Sequence, residues 1–148
     1  LNVLANVRAP GDPREAAMLD VVRATLLAAR SLRVRPQRDD KILASWNGLM
    51  LAALARAAAT FDHPVYRAAA LANYRFVRAQ LWQAGALHHR WRNGVCDATQ
   101  LLDAYAGALY GVVELYQTTL EPAQLDFAIA LADALIARFH DARDGGFW

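Results

Sequence analysis

Apolar residues recur at helical spacing along most of this chain, and polar residues gather in the few short stretches between. Ala17, Val21, Ala24, Leu27 and Ala28 share one face of a helix predicted from about Pro13 to Ser31. Asp12-Pro13-Arg14-Glu15 supplies its start, a capping carboxylate followed by a proline in the first turn. A second helical pattern carries Leu49, Ala52, Ala53, Arg56 and Ala57, with Phe61 further on. Asp62-His63-Pro64 then reads as an acidic N-cap before a third pattern, Val65, Ala69, Ala72, Phe76 and Leu81. Ala86 to Trp91 alternates like a strand, with His88 and Arg90 on one face and His89 and Trp91 on the other. Asn93-Gly94 closes a hairpin there, because both residues tolerate positive φ. Asp97 with Gln100 has capping-box spacing and opens a helix to about Thr119; another follows from Pro122 to about His140. Leu1–Leu4 is read as a short strand.

The pattern is written twice, at an offset of about 59 residues. Trp46-Asn47-Gly48-Leu49-Met50 lies over Tyr105-Ala106-Gly107-Ala108-Leu109, and Thr60-Phe61-Asp62 over Thr119-Leu120-Glu121. Each unit ends on glycine and an apolar residue, Gly85-Ala86-Leu87 and then Gly145-Gly146-Phe147-Trp148. A helix pair per unit at this period fits an all-α architecture, a partial (α/α)6 toroid of antiparallel helical hairpins with a short β-hairpin near 86–97. The inner helices are expected at about 42–60 and 99–119, the outer ones at about 64–82 and 122–140. Residues 1–148 are read as a fragment of one such toroid domain, because a six-hairpin ring needs about twice this length.

Composition narrows the classes. The 56% apolar content and heavy use of alanine favour closely packed helices. A net charge of +2, with arginines interleaved among acids, gives no basic stripe for nucleic acid. No apolar run is long enough to span a membrane. The single cysteine, Cys96, cannot form an intrachain disulfide and fits a reducing, cytoplasmic setting. Histidines and cysteine lack ligand spacing, so no metal is expected; no phosphate loop or nucleophile elbow is present, and no cofactor is implied. A slice of a ring leaves apolar helix faces uncovered, so self-association is expected.

Candidate chemistry concentrates in the connector before the second helix. Arg35 to Leu49 contains two adjacent carboxylates, flanking cations, a tryptophan and an asparagine, where ordinary connectors are short and bland. Asp39 and Asp40 suit acid/base work on a glycoside, or else one caps a helix and the other pairs with Arg35 or Arg38. Trp46 is either a platform for a sugar ring or a core aromatic, and Asn47 a partner for hydroxyls. Asp103 and Tyr105 mark the same level of the second inner helix. Asp103 is a partner for Asp39 or Asp40 across a cleft, or a first-turn carboxylate favoured by the helix dipole. His88 and Arg90 either line a pocket or belong to a solvated hairpin.

Arg35-Pro36-x-x-Asp39-Asp40-Lys41-x-Leu43-x-x-Trp46-Asn47-Gly48-Leu49 is similar to a segment of the YyaL-like family, which includes the vertebrate spermatogenesis-associated thioredoxin-domain proteins. Gly85-x-Leu87-x-x-x-Trp91-Arg92-x-Gly94, Leu102-Asp103-Ala104-Tyr105-Ala106 and Gly145-Gly146-Phe147 resemble further motifs of that family. The resemblance implies a slice of a toroid that, in the family, follows an amino-terminal thioredoxin-like domain. It also implies kinship with N-acylglucosamine 2-epimerases and six-hairpin glycosidases. Carbohydrate is the implied ligand, acted upon by a glycosidase- or epimerase-like site or simply bound. A scaffold for the thioredoxin-like domain is the alternative. One departure stands out: where the family motif has a second aspartate before tyrosine, this chain has Ala104. The expected catalytic set is Asp39, Asp40 and Asp103, and the expected substrate contacts are Arg35, Trp46, Asn47, Tyr105, His88 and Arg90.

Overall fold

The computed structural model describes residues 11–148, so the strand expected at Leu1–Leu4 lies outside the described residues. The chain divides into two compact units, Leu1–Asp39 and Asp40–Trp148. In the first, helix α1 spans Pro13–Ser31; the Asp12 carboxylate accepts a hydrogen bond from Glu15 N at 2.8 Å, the expected cap. No residue of α1 is buried, and Met18, Val21, Leu26 and Leu27 are exposed.

The second unit is built from two helical hairpins. Strand β1 (Ile42–Leu43) leads into α2 (Ala44–Phe61), and α3 (Pro64–Phe76) returns antiparallel to it. A π-helical turn, Val77–Leu81, prolongs α3 into β2 (Trp82–Gln83). Strands β3 (Ala86–Leu87), β4 (Arg90–Arg92) and β5 (Val95–Asp97) follow, then α4 (Leu102–Thr119) and α5 (Pro122–Phe139). The four helices fall where the periodicity places them, and the corrections are at their ends. Asp62 does not cap α3; it ends α2 in a left-handed conformation (φ 46°), and the His63 ring accepts from Val65 N instead. Asp97 and Gln100 do not form a capping box. Asp97 is held in β5, and α4 begins at Leu102 without a side-chain cap.

Residues 86–91 are two strands broken at His88 and His89, so the expected alternation of faces does not hold across the break. The backbone explains it: β3 pairs back with β2, whereas β4 lies between β1 and β5 in a separate sheet. Asn93 (φ 50°) and Gly94 (φ 82°) make the β4–β5 turn as expected. After α5 the second repeat starts the same way, with a bridge between His140 and Phe147 across a turn containing Gly145 and Gly146 at positive φ.

Three glycines decide how α2 meets α4. A Cβ on Gly48 would lie 2.1 Å from Gly107 O, one on Gly111 2.3 Å from Gly48 O, and one on Gly107 2.8 Å from Ser45 O. The backbones therefore touch, as only small residues permit. The pairings ascend together: Gly48 with Gly107, Arg56 with Glu114, and Ala55 with Thr118. So α2 and α4 run parallel, side by side. Behind them, Tyr105, Phe127, Leu131, Leu135 and Phe139 belong to the core, with Tyr74 edge-on to Phe127 joining α3 to α5.

Candidate functional site

Parallel packing puts the first turns of α2 and α4 at one end of the second unit. The β1–β4–β5 sheet adjoins that end and completes it. Leu43 offers α2 no side-chain cap, but His89 O, in the break just before β4, accepts from Ala44 N at 2.8 Å and so satisfies one N–H of the helix terminus. Asp40, just ahead of β1, is drawn to β4: Arg92 Nε lies 2.6 Å from its Oδ1. That oxygen is shut off from solvent, and the approach is an ion pair outside hydrogen-bond geometry. Arg90 pairs with Asp97 across the hairpin at 2.8 Å. The Asp97 carboxylate also accepts from Thr99 N and Thr99 Oγ1. These two hydrogen bonds, with Arg90 adding to them, hold the carboxyl below the usual aspartate range. His88 Nδ1 sits 3.0 Å from Asp97 O, while His89 Nδ1 is buried without a hydrogen-bond partner.

The expected contacts separate into distinct groups. Trp46 is 71% exposed in the first turn of α2 and is no core aromatic. Asp103 is exposed in the first turn of α4, where the helix dipole favours a carboxylate. Asn47 is engaged internally: its Nδ2 donates to Leu43 O, and Asn73 of α3 donates to its backbone oxygen and Oδ1. Tyr105 is fully buried. Its hydroxyl donates to Gln100 and accepts from Leu87 N, and its ring meets Phe139 edge-on. Tyr105 thus belongs to the core and not to a ligand surface. Arg90 and His88 are tied to Asp97. Arg35 and Asp39 belong to the first unit. Ala104, at the place of the family's second aspartate, is buried in the core. Cys96 is half-buried with Sγ 2.9 Å from Gln80 O, and burial raises its thiol pKa. Among the described residues no group of histidine, cysteine and acidic side chains is arranged to hold a metal.

Arg56 and Glu114 form a contact the motifs did not indicate. Arg56 Nε and Nη2 reach the two Glu114 carboxylate oxygens at 2.9 and 2.6 Å, and its guanidinium lies 5.6 Å from the Tyr110 ring centroid. Hydrogen bonding from Arg56 is the main cause of a lowered Glu114 pKa. The repeat held a signal for this pair, since the two opposite charges occupy nearly equivalent places in the two units. A separate polar concavity of about 390 Å³ lies at the other end of the hairpins, lined by Asp62, His63, Arg67, Gln117 and Thr118 among others.

Known proteins share both sequence and fold with this chain. Spermatogenesis-associated protein 20 of Mus musculus is 28% identical over 142 residues, 89% of this chain and 18% of that protein. The Homo sapiens protein is 28% identical over 133 residues, 83% of this chain and 17% of its own length. The family resemblance read from the motifs is borne out. The chain spans less than a fifth of the length of these curated relatives. No protein-family model matches it. Cellobiose 2-epimerase from Spirochaeta thermophila DSM 6192 superposes with a TM-score of 0.68 at 22% identity, over 73% of this chain and 28% of that one. A sugar epimerase from a ruminal bacterium superposes with a TM-score of 0.65 at 17% identity, over 95% and 40%. At such identities the likeness concerns the fold, helical hairpins of an (α/α)6 toroid; α2 and α4 stand where the repeat predicts the inner helices and α3 and α5 where it predicts the outer ones. No helix of the described residues is long and apolar enough to cross a membrane.

Proposed function

We propose that this chain forms part of the wall of a carbohydrate-binding cleft in its toroid, with Trp46 as the platform for a sugar ring. One observation carries the reading: the inner helices run parallel, so their first turns open at one end, and Trp46 stands there 71% exposed. A tryptophan so exposed leaves a large apolar face in water unless a ligand or a neighbouring hairpin of the ring covers it, and the apolar C–H face of a pyranose suits an aromatic ring. Asp103 and Asp40 flank the same end and supply acceptors for hydroxyls. Binding is favoured over turnover, because Asp40 is engaged by Arg92 and Ala104 replaces a carboxylate of the family motif. The fold likeness to two sugar epimerases supports carbohydrate as the ligand class. A half-buried thiol without a partner cysteine agrees with a cytoplasmic protein.

The test is calorimetric titration of the whole protein with neutral mono- and disaccharides, followed by the Trp46→Ala variant. The expected result is saturable binding that weakens at least about tenfold in the variant, as base–aromatic stacking of comparable size does. No binding by the unaltered protein, or equal binding by the variant, refutes the reading. Product analysis on any sugar that binds separates turnover from binding.

A further inference from the structure

The same inner layer carries a second polar feature, deeper along the helices than the motif residues. Helical geometry says which way it points. Asn47 faces the outer layer, where Asn73 of α3 bonds to it. Arg56 is nine residues further along α2, which at roughly 100° per residue is about two and a half turns, so it points the opposite way. Tyr105 likewise faces the outer layer, against Phe139 of α5, and Glu114 is nine residues further along α4. Arg56 and Glu114 therefore meet on the side of the inner helices turned away from α3 and α5. Asp103, Gly107, Tyr110 and Glu114 follow one another at spacings of four, three and four residues, which puts Tyr110 and Asp103 on that same stripe of α4.

The pair is only partly occupied by itself. Glu114 holds two of the Arg56 nitrogens, and Tyr110 lies beneath the guanidinium plane. The Arg56 side chain is nevertheless 62% exposed, against 15% for Glu114. The remaining guanidinium N–H groups face the open side, held in orientation by a bidentate partner and an aromatic ring. An exposed ion pair of this kind adds little to stability, so its fixed geometry is poorly explained by folding alone.

Resting on the carbohydrate reading above, we propose that Arg56, Glu114 and Tyr110 form a hydroxyl-recognising subsite on the inner face of the toroid, selective for neutral over acidic sugars. Guanidinium donors and carboxylate acceptors side by side match adjacent hydroxyls, each of which donates and accepts. The charge of Arg56 is already matched by Glu114, so a phosphorylated or carboxylated sugar gains no unpaired cation here and meets the carboxylate. Tyr110 offers an apolar edge to the sugar ring.

The experiment titrates the whole protein with glucose and cellobiose, and in parallel with glucuronic acid and glucose 6-phosphate. It uses the unaltered protein and the Glu114→Gln and Arg56→Gln variants, whose folding is checked by helical circular dichroism and thermal unfolding. The neutral sugars are expected to bind the unaltered protein more tightly than the acidic ones. Glu114→Gln is expected to weaken neutral-sugar binding by about tenfold, in line with the loss of a charged hydrogen-bond acceptor. It is also expected to strengthen binding of the acidic sugars, because Arg56 is then unmatched. Arg56→Gln is expected to weaken both. A merely structural pair would not invert the preference between neutral and acidic ligands. Unaltered sugar binding in both variants, or a preference of the unaltered protein for acidic sugars, overturns the subsite and leaves the Trp46 cleft standing. Failure of the unaltered protein to bind any of the four overturns both.

Discussion

Replacing Gly48 with alanine tests the seam on which the second unit is built. In a solvent-exposed helix interior the change would stabilise, by about 1 kcal/mol of helix propensity. Here the new Cβ would lie 2.1 Å from Gly107 O. An ordinary carbon–oxygen contact is about 3.4 Å, so α2 and α4 would have to part locally by roughly 1.3 Å. The obstacle is backbone and cannot rotate away like a side chain. Overpacking of this kind costs about 1–3 kcal/mol, and a backbone obstacle belongs at the upper end. Set against the propensity gain, the net expectation is a loss of about 2 kcal/mol. Urea denaturation followed by helical circular dichroism measures it as a lower midpoint at unchanged slope. Gly111→Ala, at 2.3 Å from Gly48 O, should cost nearly as much, and Gly107→Ala, at 2.8 Å from Ser45 O, less. A Gly48→Ala protein as stable as the original or more so, or a ranking led by Gly107, would refute the backbone-contact account of the seam.

Tyr105→Phe removes the hydroxyl that receives Leu87 N and should cost about 1–3 kcal/mol by leaving a buried N–H unpaired, read by the same denaturation; an unchanged midpoint would count against it. Trp46→Ala should move stability by no more than about 0.5 kcal/mol, as for an exposed residue, so a large drop in melting temperature would mean the ring is packed after all. Asp97 has a folded pKa lowered chiefly by Thr99. Its stabilising contribution is therefore complete above the ordinary aspartate value and lost as pH falls through the lowered folded value. An NMR titration in which the Asp97 carboxyl protonates at or above the ordinary range would contradict that. Exposed Leu49, Met50, Ile129 and Ile136 should drive self-association of this chain in isolation, and light scattering giving a clean monomer at high concentration would end that expectation.

Repetition and periodicity were enough to place the helices. Apolar residues recur at helical spacing in α2, α3, α4 and α5, which made them legible from Leu51, Phe76, Tyr105 and Phe127 and their neighbours. The turn at Asn93-Gly94 was equally local, since it depends on two residues that accept positive φ. Helix ends were read less well, because capping is a competition. Asp97 could have capped α4, but its near neighbour Thr99 takes the carboxylate in a local turn, and the pairing of β4 with β5 adds Arg90.

Side-chain roles followed the same division. The sequence showed that Trp46, Asp103 and Tyr105 sit at one level of the repeat; only packing separated them, exposing the first two and enclosing Tyr105 against Phe139. The motif around Asp39 and Asp40 marked the connector, but the pairing of β1 with β4 is what commits Asp40 to Arg92. Arg56 falls within the helical pattern of α2 and Glu114 within that of α4, and neither pattern by itself joins the two charges. They became a pair because Gly48, Gly107 and Gly111 let two backbones close on each other, and contact between residues 58 apart in sequence is a property of the packed helices alone.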